Sequence, residues 1–131
     1  MDNDKYGFRF REWNIYKEAR EFRKDVNELL KTFPVEEKYA LTDQTKRALN
    51  SMVLNIAESS NKGTDKDTRV YIIRSLCSLD EVVSCLDCAL DDQYIKEEQH
   101  RGKLKKADVL AKKLKGFIVY LSKNIKSRIK D

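Results

Sequence analysis

Residues 14–34 read NIYKEAREFRKDVNELLKTFP, and their apolar members fall at Ile15, Ala19, Phe22, Val26, Leu29 and Phe33. The spacing alternates between 4 and 3, which keeps one face of an α-helix directed inward for about five turns. Pro34 ends the run, because it has no amide hydrogen and pushes Phe33 out of the α region. A first helix is therefore expected near residues 10–32, followed by a connection over residues 35–41 with room for one helical turn.

The same alternation recurs three times. A second helix is expected near 42–60, with Thr42 as N-cap, Asp43 in its first turn and an apolar arc of Ala48, Leu49, Met52, Val53, Ile56 and Ala57. The turn formers from Ser59 to Gly63 stop it. A third, near 65–92, opens at the cap-like run Thr64-Asp65-Lys66-Asp67 and carries Ile72, Leu76, Leu79, Val83, Leu86 and Leu90. A fourth, near 97–127, carries Leu104, Ala107, Ala111, Leu114, Ile118, Leu121 and Ile125, with Gly102 and Gly116 as weak points. Only four glycines and one proline occur in 131 residues, and 37% of the residues are charged. That composition suits long helices and argues against sandwiches, barrels and nucleotide-binding α/β folds. The expectation is a single all-α domain over residues 1–131, an antiparallel up-down-up-down four-helix bundle.

Charged residues interrupt every hydrophobic stretch well short of the roughly 18 to 20 residues a membrane span requires. The segment from Met1 to Arg11 has Asp2, Asp4, Lys5 and Arg9 and no apolar h-region, so no secretory signal is read there and a cytoplasmic location is the default. Cys77, Cys85 and Cys88 are odd in number and fall in one helical segment, which is no disulfide framework. Cys85 and Cys88 form a C-x-x-C, but with His100 the only histidine and no second cysteine pair, buried packing outweighs metal binding. No phosphate loop, zinc-protease helix or nucleophile motif is present, so neither cofactor nor catalytic residue is expected.

Charge is unevenly placed. Residues 96–131 hold 12 Lys plus Arg against 4 Asp plus Glu, a local +8, whereas residues 1–95 hold 15 against 18, a local −3. On the heptad set by Leu104 and Ala107, Lys105, Lys106, Lys112, Lys113 and Lys126 fall at b or c, the outward positions, with Lys123 at f beside them. Such a stripe either meets phosphates, releasing counterions, or keeps a solvated helix face soluble. Aromatic groups for stacking are sparse near it, with Tyr120 at c and Phe117 closer to the core. Leu54, on a stripe with Arg47, Asn50 and Glu58, and Val119 and Tyr120 on the fourth helix are apolar groups facing outward, which makes a subunit interface a serious expectation. Asn55 and Glu58 put polar groups at the border of the second helix's apolar arc, where they fix helix register or subunit geometry more often than they catalyse.

The stretch from Phe33-Pro34-Val35-Glu36-Glu37-Lys38-Tyr39-Ala40-Leu41-Thr42-Asp43-Gln44 through Lys46-Arg47-Ala48 to Leu54-Asn55-Ile56-Ala57-Glu58 resembles a known family pattern, F-P-x-E-E-x-Y-G-L-T-x-Q, a basic pair and Ala, then N-I-A-E-G. Ser78 and Glu81 match a later segment, and Phe8, Trp13 and Phe22 fit an aromatic-rich first helix. The family is that of the four-helix bundle proteins first noted as products of intervening sequences inside bacterial 23S ribosomal RNA genes. Three positions depart from it: Ala40 and Ser59 replace glycines, and Cys77 stands where a glycine commonly precedes Ser78. The family is similar to the accessory protein of diversity-generating retroelements, a pentameric barrel of such bundles that binds nucleic acid and a reverse transcriptase. The resemblance implies a homopentamer with RNA, DNA or a nucleic-acid-handling protein as partner, and associates Arg47, Asn55 and Glu58 with the shared structure. Residues and resemblance together lead to the expectation of a non-enzymatic ring that binds nucleic acid through repeated basic surfaces. The alternative is a protein scaffold whose lysines serve solubility alone.

Overall fold

The computed structural model describes residues 6–130, with side chains as far as Ser127. Asp2, Asp4, Lys5, the side chains of Arg128 and Lys130, and Asp131 lie outside the described residues. Four helices account for most of the chain: α1 (Asn14–Leu30), α2 (Leu41–Ser59), α3 (Asp65–Asp91) and α4 (Glu97–Lys130). No strand occurs among the described residues.

The first helix differs from expectation at its start. A 3-10 turn over Arg9–Glu12 is separated from α1 by Trp13, whose backbone is extended (φ −69°, ψ 131°). The break has a packing basis: the Trp13 ring meets Phe117 of α4 edge-on, with centroids 5.8 Å apart, while Phe10 meets Tyr16 in the same manner at 4.9 Å. A second 3-10 turn, Val35–Glu37, follows Pro34. Thr42 is not the N-cap of α2. Ala40 occupies that position without a capping side chain, and Glu37 Oε1 instead accepts the Leu41 amide at 3.1 Å from the preceding turn. Thr64 does cap α3, accepting the Asp67 amide at 3.1 Å. The far end of α3 closes with Gln93 in the left-handed region (φ 64°); the Gln93 amide reaches Leu90 and the Tyr94 amide reaches Ala89, the paired bonds of a Schellman cap.

The direction of each helix follows from its cross-links. Glu18 meets Lys113 and Asp25 meets Lys106, so α1 and α4 run oppositely. Ser51 meets Ser78 and Ser59 meets Thr68, which makes α2 and α3 antiparallel; His100 with Asp87 and Arg69 with Ser122 do the same for α3 and α4. Each helix packs on two neighbours in cyclic order, and the diagonal pairs are not in close contact. This is an antiparallel four-helix bundle.

Phe22, Val26, Leu49, Met52, Ile56, Ile72, Leu79, Val82, Leu86, Leu110 and Leu114 fill its centre. The α2–α3 pair approaches most closely, because small side chains face each other there. Ser75 Oγ donates to the Met52 carbonyl at 2.7 Å, and the hydroxyls of Ser51 and Ser78 are 2.8 Å apart. Cys77 is exposed, so its side chain is accommodated at the surface of the bundle. No helix is long and apolar enough to cross a membrane among the described residues.

Candidate nucleic-acid interface

The basic residues of α4 separate into two sets. At 100° per residue, Lys105, Lys112 and Lys123 project opposite the buried Leu114 and Leu121, with Lys126 at the edge of the same face. Arg101 and Lys115 join them. Among the described residues Arg101, Lys105, Lys115, Lys123 and Lys126 have no carboxylate within ion-pair distance. Lys112 pairs with Asp108 at 2.9 Å, but both side chains are exposed, and such a pair contributes about 0 to 1 kcal/mol. From Lys105 to Lys126 the row is about 31 Å long at 1.5 Å per residue.

Lys106 and Lys113 are exposed yet turned toward α1. Lys106 Nζ lies 2.9 Å from Asp25 Oδ2, which also meets Lys103, and Lys113 Nζ lies 2.7 Å from Glu18. Burial pulls the Asp25 carboxyl upward, but its two lysine partners outweigh that and hold it below the ordinary value. These two lysines, placed on the outward stripe by the heptad, hold α1 and α4 together, so their positive charge is matched within the chain.

Sequence reasoning missed Arg101 and Lys115 because both fall at heptad position e, conventionally the edge of a packed seam. At 100° per residue Arg101 and Lys115 lie about 140° and 100° from the buried Leu114, and both are exposed.

The outward apolar groups lie where the pattern put them: Leu54 is 62% exposed, Val119 52% and Tyr120 59%. Tyr120 stacks on Phe117, with centroids 6.3 Å apart and planes at 29°, and Trp13 in turn meets Phe117 edge-on at 5.8 Å. No periodicity in α4 could have announced Trp13, which comes from the opposite end of the chain. On α2, Arg47 pairs with Asp43 at 2.9 Å, and Glu58 lies 3.9 Å from Lys62. Asn55 Nδ2 donates to the Ser51 carbonyl at 2.8 Å and to its hydroxyl at 3.1 Å, beside the Ser51–Ser78 bond. Arg47, Asn55 and Glu58 therefore line one side of α2 without converging on a pocket.

An open groove of about 770 Å³ runs between α3 and α4 over Leu79, Val83, Leu104 and Ala107, rimmed by charges of both signs. His100, at its end, meets Asp87 at 2.8 Å. Cys85 is buried and its thiol is pushed up by that burial, against a hydrogen bond with Thr45; Cys77 and Cys88 are exposed. Among the described residues no group of three or more His, Cys, Asp and Glu side chains could hold a metal ion.

Together these features define an antiparallel four-helix bundle with a basic outer face on its last helix, bordered on the α3 side by Asp80, Glu97 and Asp108. Residues 11–116 match the 23S rRNA-intervening sequence protein family, and the chain belongs to that family. It is similar to a crystal structure of a protein of unknown function from the S23 ribosomal protein family of Bacteroides thetaiotaomicron, at 22% identity, covering 79% of this chain and 97% of that one, with a TM-score of 0.73. At that identity the likeness concerns the fold alone. No curated protein matches the chain.

Proposed function

We propose that this chain is a cytoplasmic, non-enzymatic homo-oligomeric bundle, a pentameric ring, that binds RNA or DNA, alone or within a nucleoprotein, through the outer face of α4. The observation that carries the reading is the row of Arg101, Lys105, Lys115, Lys123 and Lys126, cations with no acidic partner among the described residues. A helix needing only solubility would be served by paired charges such as Lys112 with Asp108. An unmatched row instead leaves a positive field, which attracts polyanions and gains affinity by counterion release. In a ring the row is repeated and the fields add. Exposed Leu54 supports assembly. Sequence preference is weak, since four of the five cations in the row are lysines, which meet phosphates as flexible point charges.

The test is binding to RNA and DNA across a salt series, for the native protein and for a variant with Lys105, Lys115, Lys123 and Lys126 changed to Glu. Lys106 and Lys113 are left intact, because reversing them would set like charges against Asp25 and Glu18. Affinity should fall steeply with salt and disappear in the variant, while the helical spectrum persists. Binding that is absent at low salt, or indifferent to salt, removes the proposal. A protein scaffold, favoured by exposed Leu54 and Val119, is indicated if the native protein binds no nucleic acid at low salt while Leu54→Glu disrupts its assembly.

A further inference from the structure

Two neighbouring features of α4 serve no purpose within the chain. Gly116 lies in the helix interior, where glycine is among the least favourable residues, yet a Cβ placed there meets nothing within 4 Å. No close approach among the described residues requires its missing side chain. Four residues later comes Tyr120, a large aromatic group left 59% exposed. Long side chains on a helix lean toward its N-terminus, over the residues three and four positions back. For Tyr120 those residues are Phe117, on which its ring stacks, and Gly116. The ring is supported by Phe117 and, behind that, by Trp13 at 5.8 Å, while the ground beside it over Gly116 is open. Lys123 stands three residues beyond the ring, and Lys112, whose exposed pair with Asp108 contributes little and is exchangeable for a phosphate, four residues before the glycine, so cations border this open ground at both ends.

We infer that Tyr120 is a stacking platform for an unpaired base, so that the nucleic acid bound along α4 is single-stranded RNA or DNA. This rests on the nucleic-acid reading above and narrows it. The faces of a paired base are covered by its neighbours in a duplex, whereas an exposed aromatic ring can be met by a base free to turn out of its strand. Flanking lysines then meet the phosphates on either side, and the contact tolerates any base because every base has a π-face. The open ground at Gly116 admits the edge of the base, and a side chain there would fill it.

The experiment measures binding of single strands of about 20 nucleotides, oligo-uridine and oligo-thymidine, beside a duplex and an abasic deoxyribose-phosphate strand of the same length. The native protein should bind the base-bearing strands about 5- to 150-fold more tightly than the abasic strand, the range of one base–aromatic stack. Tyr120→Ala should weaken the base-bearing strands by about 5- to 150-fold, the range of one base–aromatic stack, and leave the abasic strand unchanged. Tyr120→Trp should retain binding. Gly116→Leu should raise thermal stability while weakening the same strands, a combination that a purely structural role would not produce. The two base-bearing strands distinguish the sugar, and tight binding of either supports the inference. If the native protein binds strands in a salt-dependent way but Tyr120→Ala and Gly116→Leu leave base preference unchanged, the stacking role falls and the basic face stands. If the native protein binds nothing at low salt, both fall. If Tyr120→Ala changes the mass in solution and not the base preference, the surface joins two copies of this chain and the inference is overturned.

Discussion

One carboxylate, that of Glu37, joins both connections at the same end of the bundle. Its Oε1 accepts the amide that opens α2, and its Oε2 accepts the Tyr94 hydroxyl at 2.8 Å from the turn between α3 and α4. Phe33 packs against the Tyr94 ring with centroids 5.6 Å apart, so two residues of the F-P-x-E-E motif meet one tyrosine. The hydrogen bond to Glu37, and secondarily burial, push the Tyr94 phenol from its ordinary 10.0 up to about 12. Because the folded-state value is raised, the stabilisation is fully present below pH 10 and is lost as pH rises through about 12. Tyr94→Phe should lower stability at neutral pH and flatten its dependence between those limits, and a tyrosinate absorbance titration should lose the group that titrates at about 12. The sequence pointed to the wrong cap here: Thr42 has the right chemistry, but local pattern cannot see a glutamate reaching forward from the preceding turn.

At the scale of elements, the pairing of α2 with α3 depends on hydroxyls. Ser75 is fully buried, and its bond to the Met52 carbonyl requires the two backbones to stay close. Ser75→Ala should cost about 1 kcal/mol, the contribution of one intramolecular hydrogen bond. Ser75→Leu should cost more, by about 1 to 3 kcal/mol from overpacking, because its side chain must separate the helices. Urea unfolding of both variants measures the difference. The apolar periodicity made all four helices and their order legible, since each buries one face and a 3,4 spacing marks it. It did not show the break at Trp13, because that ring is turned toward a residue 104 positions away on α4.

For the whole molecule, the net charge of +5 conceals a division between a slightly acidic body and a strongly basic last helix. Folding sharpens the division further: α1 supplies Glu18 and Asp25 to Lys113 and Lys106, whereas Arg101, Lys105, Lys115, Lys123 and Lys126 have no ion-paired carboxylate among the described residues. The additive field of the proposed ring requires several copies. Light scattering should return a mass near five times 15.4 kDa, and a mass near one subunit would remove the ring. Leu54→Glu should shift the native mass toward the monomer without loss of helical signal if that exposed side chain lies between subunits.

By itself the sequence determined the helices, their antiparallel order and the concentration of positive charge in the last of them. Hydrophobic spacing and local composition are properties of contiguous residues, and they survive without knowledge of what packs where. Only the tertiary structure decided which lysines are neutralised within the chain, which carboxylate caps α2, and that an aromatic ring from the start of the chain supports Phe117 and Tyr120 near its end. Each of those depends on groups brought together across helices, and one-dimensional spacing contains no distance between them.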